Sequence, residues 1–525
     1  MPDTPWTGDA CSLVDAFRAG EISPQEELDA TLAAIEASQL NCFSYVDPER
    51  AQRACADANV NLPFGGLPTG IKELFPFEGW PNTEGSLVFK DRIADHTSRH
   101  LERLVEKGGI VPVGLTTSSE FGGLNVSVTK LNGVTHNPWK HGHTAGGSSG
   151  GSASAVAGGL LTLGTGGDGG GSLRIPAGYN GLFTLKGTFG RVTRAPHAFS
   201  RPNTVVFGNL ARSVRDVARY LDVCAGVDPW DPTSLPSDRR WEAQLGTVDL
   251  RGMKAAVIPA IGGALLDPGM REHVEAQADQ LIAWAGLKRV EVEVVIPTLS
   301  AQWMMGNLAT LLADLGSLWP RCLPDLTDEI GIGLLLAQSL YNLHLAAVSE
   351  ELRIMANEAM GRAFERCDMI IAAVNPGVAF PAHAPTSSQE KSFVDVATTN
   401  PATRMAFKGL MAGVRVAASA APRLPAALIS AVSERFPDML AMGALTMISN
   451  LYGNPAVSIP SGTIDGLPVG LQVLGRHHED AVLLDIGLCM ERNQPWPLVA
   501  PERRPTRLQI QPVTGSLARS QDHRK

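Results

Sequence analysis

The chain has 525 residues, a formal net charge of −9, 44% hydrophobic residues and 18% charged residues. This acidic balance gives no basic footprint for nucleic acid, and no run reaches the roughly 18 uninterrupted apolar residues that span a bilayer. The longest candidate, Val414 to Val432, is broken by Arg415, Pro422, Arg423 and Pro425. Cys11, Cys42, Cys55, Cys224, Cys322, Cys367 and Cys489 are odd in number and lack C-x-x-C spacing, which predicts reduced thiols and a cytoplasmic setting. The start, Met1-Pro2-Asp3-Thr4-Pro5-Trp6, has neither the basic nor the apolar region of a signal peptide.

In chain order, Ser23-Pro24-Gln25-Glu26 predicts a helix start: a serine N-cap, proline at the first helical position and a capping glutamate. Leu28, Leu32 and Ile35 follow at helical spacing, so residues 1–62 are expected to form a helical region packed on the core. Lys72 comes next, after a Gly-Leu-Pro-Thr-Gly turn and between Ile71 and Leu74-Phe75. Alone, such a lysine reads as a solvated surface residue. Leu101, Leu104 and Val105 form an amphipathic stripe that stops at Gly108-Gly109, and Ile110 to Leu115 then reads as a buried strand.

Two glycine-rich segments dominate the middle of the chain: Gly146-Gly147-Ser148-Ser149-Gly150-Gly151-Ser152 and Asp168-Gly169-Gly170-Gly171-Ser172-Leu173-Arg174. Interleaved Val156, Leu160, Leu161, Leu163 and Ile175 can bury surface, which a flexible linker would not do. With the upstream lysine, these segments supply a nucleophile, a proton relay and bare backbone donors, the equipment of acyl transfer. Turn serines are the plain alternative. A phosphate loop is disfavoured because no Gly-Lys-Ser/Thr follows, and Asp168 as a triad acid lacks an evident histidine. His141, His143, His477 and His478 have no metal-motif spacing, so neither metal nor cofactor is expected.

From about Asn307 to Met442 the chain turns helical and apolar, with Leu336, Leu340, Leu343 and Ala347 predicted on one stripe. Trp303, Met304, Met305 and Leu308, with residues 404–436, are expected to shape an apolar substrate pocket, since methionines suit an adaptable cavity. Cys367 to Ile371 reads as a strand returning to the sheet, with Pro376 to Pro385 as the loop after it. Residues 501–525 form a polar, basic tail expected to be disordered.

Taken together, these segments resemble the amidase signature family. The resemblance runs from Ile22-Ser23-Pro24, through Gly66-Leu67-Pro68, Ile71-Lys72-Glu73 and Ser119-Glu120-Phe121-Gly122, to Gly466-Leu467-Pro468-Val469-Gly470-Leu471-Gln472. It implies Lys72 as general base, Ser148 as a serine following a cis peptide, and Ser172 as nucleophile. It also implies Gly169, Gly170, Gly171 and Ser172 as oxyanion hole, and Ser149, Asp168 and Arg174 as structural support. Keeping a lysine neutral at pH 7 costs about 4.6 kcal/mol in water, and burial can supply a shift of about 3 to 5 units.

The implied fold is α/β, a mixed central sheet flanked by helices on both faces (α/β/α). Residues 63–300 would be the catalytic core, 301–440 a largely helical substrate-shaping insertion, and 441–500 the C-terminal part of the core. Gly167, Ala145 and Gly187 depart from the family pattern, and Gly167 deletes a hydroxyl beside the oxyanion loop. The implied activity is hydrolysis of hydrophobic or aryl amides, with esters or carbamates also cleavable. The implied partners are such a small molecule and water, with no membrane and a homodimer left open. Two alternatives stand: the amidase component of a tRNA-dependent amidotransferase, and a non-catalytic scaffold of the same fold.

Overall fold

The computed structural model describes residues 4–196, 204–297, 300–382 and 438–501, together with Met405, Gly409, Gly413 and Ala421; the side chains of residues 300–304 and 438–442 are not described. Residues 404–436, apart from those four positions, and the tail from 502 therefore lie outside the described residues.

The N-terminal helix signal is realised as read. Helix Pro24–Ala37 opens with a reciprocal capping box, the Glu26 amide donating to Ser23 Oγ (3.2 Å) and the Ser23 amide to Glu26 Oε2 (2.9 Å). Its buried Leu28 packs with Val111, Val113, Leu161 and Leu210, so the helix covers one face of the sheet. Cooperation of cap and apolar stripe explains why a segment this short holds a fixed place.

The sheet has two hydrogen-bonded parts. The first runs in the order Phe43–Val46, Val111–Thr116, Pro68–Lys72, Leu163–Asp168, Val206–Ala211. The second runs Lys288–Arg289, Lys254–Val257, Met369–Ala373, Leu467–Gly475, Ala456–Ile464, Thr184–Lys186. Phe183 and Ala211 exchange amide hydrogen bonds of 3.1 and 3.2 Å, which joins the parts edge to edge. Pro68–Lys72 is parallel to Val111–Thr116, with Lys72 opposite Thr116, and parallel to Leu163–Asp168, while the flanking strands run antiparallel. The architecture is thus the expected mixed α/β. Parallel strands place the loops after Lys72 and Asp168 at the same, carboxyl end, where ligand sites of such sheets form. Helix Gly150–Ala157 and helix Arg174–Asn180 are buried along their whole length, the first because its residues are small, the second with Arg174 and Tyr179 among the buried side chains.

The helical segment departs from the reading in one respect. Leu336 and Leu340 belong to helix Asp328–Leu340, but Leu343 opens a separate helix, Leu343–Phe364, bent by 106° from the first, and is 91% exposed. The cause is Asn342, whose side chain accepts the Leu345 amide at 2.8 Å and so starts a new helix where a continuous stripe was expected. The strand expected at 367–371 is Met369–Ala373, two residues later. Among the described residues no single helix is long and apolar enough to cross a membrane. The helices Ser300–Leu315 and Asp328–Leu340 share their own apolar cluster, which rests on Val88, Phe89, Phe121 and Leu124 of the sheet-bearing part.

Candidate active site

Lys72 ends its strand with its side chain turned inward, 2% exposed, and its Nζ donates to Ser148 Oγ (2.7 Å) and Ser149 Oγ (2.8 Å). Burial pulls the Lys72 ammonium down to about 7, against the opposing pull of the Asp168 and Glu73 carboxylates. The backbone is pinned as well, the Lys72 amide donating to Thr165 Oγ1 at 2.9 Å. The Gly147–Ser148 peptide is cis. Ser149 links the two glycine-rich segments: its amide donates to the Ser172 carbonyl (3.3 Å) and its hydroxyl to the Gly167 carbonyl (3.3 Å). Lys72, Ser148, Ser149 and Ser172 are thereby gathered at one place, and Ser172 is the most open of them at 8% exposure.

Asp168 and Arg174 form a fully buried bidentate pair, Nε to Oδ2 and Nη2 to Oδ1 both at 2.9 Å. Burial alone would raise the Asp168 carboxyl, but the Arg174 guanidinium, Lys186 and Asn450 outweigh it and hold the group at about 2. The remaining Arg174 donors reach the Thr446 carbonyl (2.9 Å), Gln472 Oε1 (2.6 Å) and Asn450 Oδ1 (2.7 Å), so no buried charge is left unmatched. Asp168 also accepts the Leu173 amide at 3.3 Å, so the pair is bonded to the loop between its two members.

The four amides expected to face an oxyanion divide in use. The Gly171 amide is spent on Asp168 Oδ1 at 2.7 Å, because a buried carboxylate is the strongest acceptor within reach. Among the described residues the amides of Gly169, Gly170 and Ser172 carry no hydrogen bond. Gly171 serves the loop through its backbone instead: φ is +134°, and a Cβ there would overlap Thr446 Oγ1 and Ile175 Cδ1.

Three residues of this loop's support were missed in the sequence. Thr446 Oγ1 donates to the Gly170 carbonyl (2.6 Å), and Asn450 Nδ2 donates to the carbonyl (2.8 Å) and Oδ1 (2.9 Å) of Asp168. Both sit on helix Asp438–Tyr452, four residues apart and so on one face, and with Ser449 and Asp438 also polar in that helix no local signal singled them out. The third, Gln472, lies inside a quoted motif, and its Nε2 donates to the Leu445 carbonyl (2.9 Å).

The Gly167 departure also has a physical account. A Cβ there would lie 3.3 Å from the Phe75 ring and 3.5 Å from that of Phe207, and these two rings enclose His100. Burial drives the His100 imidazole down to about 3, so it packs as a neutral ring. Glu73, next to the lysine, accepts the Ser118 amide (2.6 Å) and Asn132 Nδ2 (2.9 Å), and burial raises its pKa.

Of the expected pocket residues, Met305 and Leu308 are 7% and 8% exposed and pack with Leu315, Cys322, Leu326 and Ile330. They form the core of the helical segment, against which Phe121 packs, and Ile330 and Thr327 also reach the Ser119–Gly123 turn. The side chains of Trp303 and Met304 are outside the described residues. Among the described residues no group of His, Cys, Asp or Glu could hold a metal ion.

The chain is similar to known proteins over most of its length. The family model "Amidase" matches residues 26–484. A glutamyl-tRNA(Gln) amidotransferase subunit of Deinococcus radiodurans is 30% identical over 522 residues, covering 92% of this chain and 96% of that one. Its counterpart in Chloroflexus aggregans is 27% identical over 516 residues, covering 92% and 95%. A 6-aminohexanoate cyclic dimer hydrolase matches with a TM-score of 0.78 and 25% identity over 94% of this chain and 98% of the other. A bacterial aryl acylamidase of the amidase signature family shares the fold at TM-score 0.78 and 24% identity, with coverage of 94% and 98%. The match over most of the chain, on a mixed sheet that gathers Lys72 with two glycine-rich serine loops, shows that this chain belongs to the amidase signature family.

Proposed function

We propose that the chain hydrolyses carboxylic amides through an acyl-enzyme on Ser172, with Lys72 as general base and Ser148 as proton relay. The observation that carries this reading is the buried Lys72 Nζ, 2.7 Å from Ser148 Oγ and brought by burial to about 7, where a neutral amine is available. Ser172 Oγ attacks the amide carbonyl carbon while its proton passes to Ser148 and the Ser148 proton to Lys72. The developing oxyanion is met by the amides of Gly169, Gly170 and Ser172, each such donor stabilising the transition state by roughly 3 to 4 kcal/mol. Collapse breaks the C–N bond, and the relay run backwards protonates the leaving amine. Water, deprotonated through the same relay, then splits the acyl ester and restores Ser172.

Hydrophobic or aryl amides are the proposed substrates, with esters and carbamates presenting the same carbonyl. The apolar helices Ser300–Leu315 and Asp328–Leu340, packed against Phe121 and Leu124 beside Ser148, support an apolar substrate, and the seven free cysteines suit a reducing, cytoplasmic setting. A second reading has a specific observation behind it: the curated relatives at 27–30% identity are amidotransferase subunits. The purified single chain separates the two. Release of an arylamine from an anilide supports the amidase, whereas glutamine-dependent ammonia release only with added partner subunits supports the other. A chain inert in both assays would be a scaffold.

A further inference from the structure

Glu120 is fully buried, yet among the described residues its side-chain hydrogen-bond partners are all neutral donors. Ser86 Oγ reaches Oε1 at 2.6 Å, while the amide and hydroxyl of Thr327 reach Oε2 at 2.8 and 2.7 Å. Thr327 is the N-cap of helix Asp328–Leu340, and its hydroxyl, in place of capping its own helix, points outward to Glu120. The cap function is thereby exported: the helix's free N-terminal end is held by a carboxylate from another part of the chain, which the helix dipole favours.

The other side of the Glu120 turn touches the reacting groups. The Ser119 amide donates to the Ser148 carbonyl (3.4 Å), and a Cβ on Gly122 would lie 3.5 Å from Ser148 Oγ. Gly147, the residue before Ser148, backs onto the chain at Asn125 and Val126, where its Cβ would come within 2.6 Å of the Val126 nitrogen. Phe121 and Gly122 both adopt left-handed φ, 54° and 69°, so the turn has little freedom to adjust. On its outer side, Ile330 presses on Gly123, and Phe121 and Leu124 pack on the core of the helical segment. Lys130 adds an exposed tie, its Nζ donating to the Pro324 carbonyl at 3.2 Å.

We propose that Glu120 is a positioning residue for substrate selection: by holding Thr327 it fixes the helical segment against the turn that backs Ser148, and so sets the wall that receives the bulky end of a substrate. This rests on the amide-hydrolase reading above. Small substrates need only Lys72, Ser148 and Ser172, which besides the Ser119 contact are tied to one another by the Lys72–Ser148, Lys72–Ser149 and Ser149–Ser172 hydrogen bonds; long ones also need the wall.

The test compares Thr327→Val, Thr327→Ser and Glu120→Gln on 4-nitroacetanilide and its octanoyl homologue, with hydrogen exchange of residues 119–126 and 328–340 in each protein. Thr327→Val is expected to raise KM for the octanoyl anilide about tenfold and leave kcat on the acetyl compound within about twofold, while Thr327→Ser restores the native ratio. Both segments should exchange faster together in Thr327→Val and Glu120→Gln. An equal loss on both anilides, or no change in the ratio, overturns the proposal, as does exchange that quickens in 328–340 alone. A native chain that cleaves neither anilide refutes the amide-hydrolase reading, and the positioning proposal falls with it even if the exchange result shows that the Glu120–Thr327 clamp is real.

Discussion

Lys72 Nζ sits between Ser148 Oγ and Ser149 Oγ at 2.7 and 2.8 Å, a cation enclosed by hydroxyls in place of carboxylates. Hydroxyls do not compensate the loss of water around a charge, so burial brings the group to about 7. In the proposed mechanism the base is the neutral amine, so kcat/KM is expected to rise with pH through one ionisation near 7 and to level above about pH 8. Lys186 is also brought to about 7 by burial, so assignment needs a control. Lys186→Met should keep the rising limb, and Lys72→Ala should abolish it together with most of the rate; a limb lost in Lys186→Met would move the ionisation away from Lys72.

The same shift has a sign for stability. An unfolded lysine holds its proton up to about 10.5, so between about 7 and that value the unfolded chain binds more protons than the folded one. The cost of burying Lys72 is therefore full in acid and is relieved as pH rises across this window. Lys72→Met should be more stable than the native chain at about pH 6, with the difference shrinking toward about pH 10. Urea denaturation at both values checks it, and a difference that grows with pH would contradict the assignment.

Arg174 offers a contrasting case, a buried charge fully matched by Asp168 and neutral acceptors. Arg174→Met leaves the Asp168 carboxylate buried and unpaired, for which the expected loss of stability is about 3 to 5 kcal/mol. Denaturant titration measures it. A loss below about 1 kcal/mol would mean that the pair is not the scaffold of the loop.

Much of the site could be read from the sequence because its residues are local and chemically marked. Ser148, Ser149, Asp168, Ser172 and Arg174 lie within two glycine-rich segments, and the capping box at Ser23 is a four-residue signal that needs no tertiary information. Thr446, Asn450 and the Glu120–Thr327 contact were not legible, because each acquires meaning only from a partner more than 200 residues away. The partner of the Gly171 amide was not legible for a related reason: whether a donor faces substrate or Asp168 depends on where a buried carboxylate points. At Asn342 two local signals competed, and the helix cap won over the apolar spacing.

The Thr446 contact yields its own expectation. Thr446→Val keeps the volume but removes the hydroxyl that holds the Gly170 carbonyl at 2.6 Å, freeing the loop that carries the proposed oxyanion donors. kcat is expected to fall about 10- to 100-fold with KM little changed, as a small misplacement of donors acts mainly in the transition state. Steady-state kinetics decide it: a rise in KM at constant kcat would place Thr446 in substrate binding instead.

The central claim is a covalent acyl intermediate on Ser172, and the most direct measurement is mass spectrometry of the protein quenched during turnover of a slow acyl anilide. The account predicts an added acyl mass on the peptide containing Ser172, absent in Ser172→Ala, which should also lose at least about 10³-fold in rate while keeping its fold. An adduct on another residue, or undiminished turnover by Ser172→Ala, would contradict it.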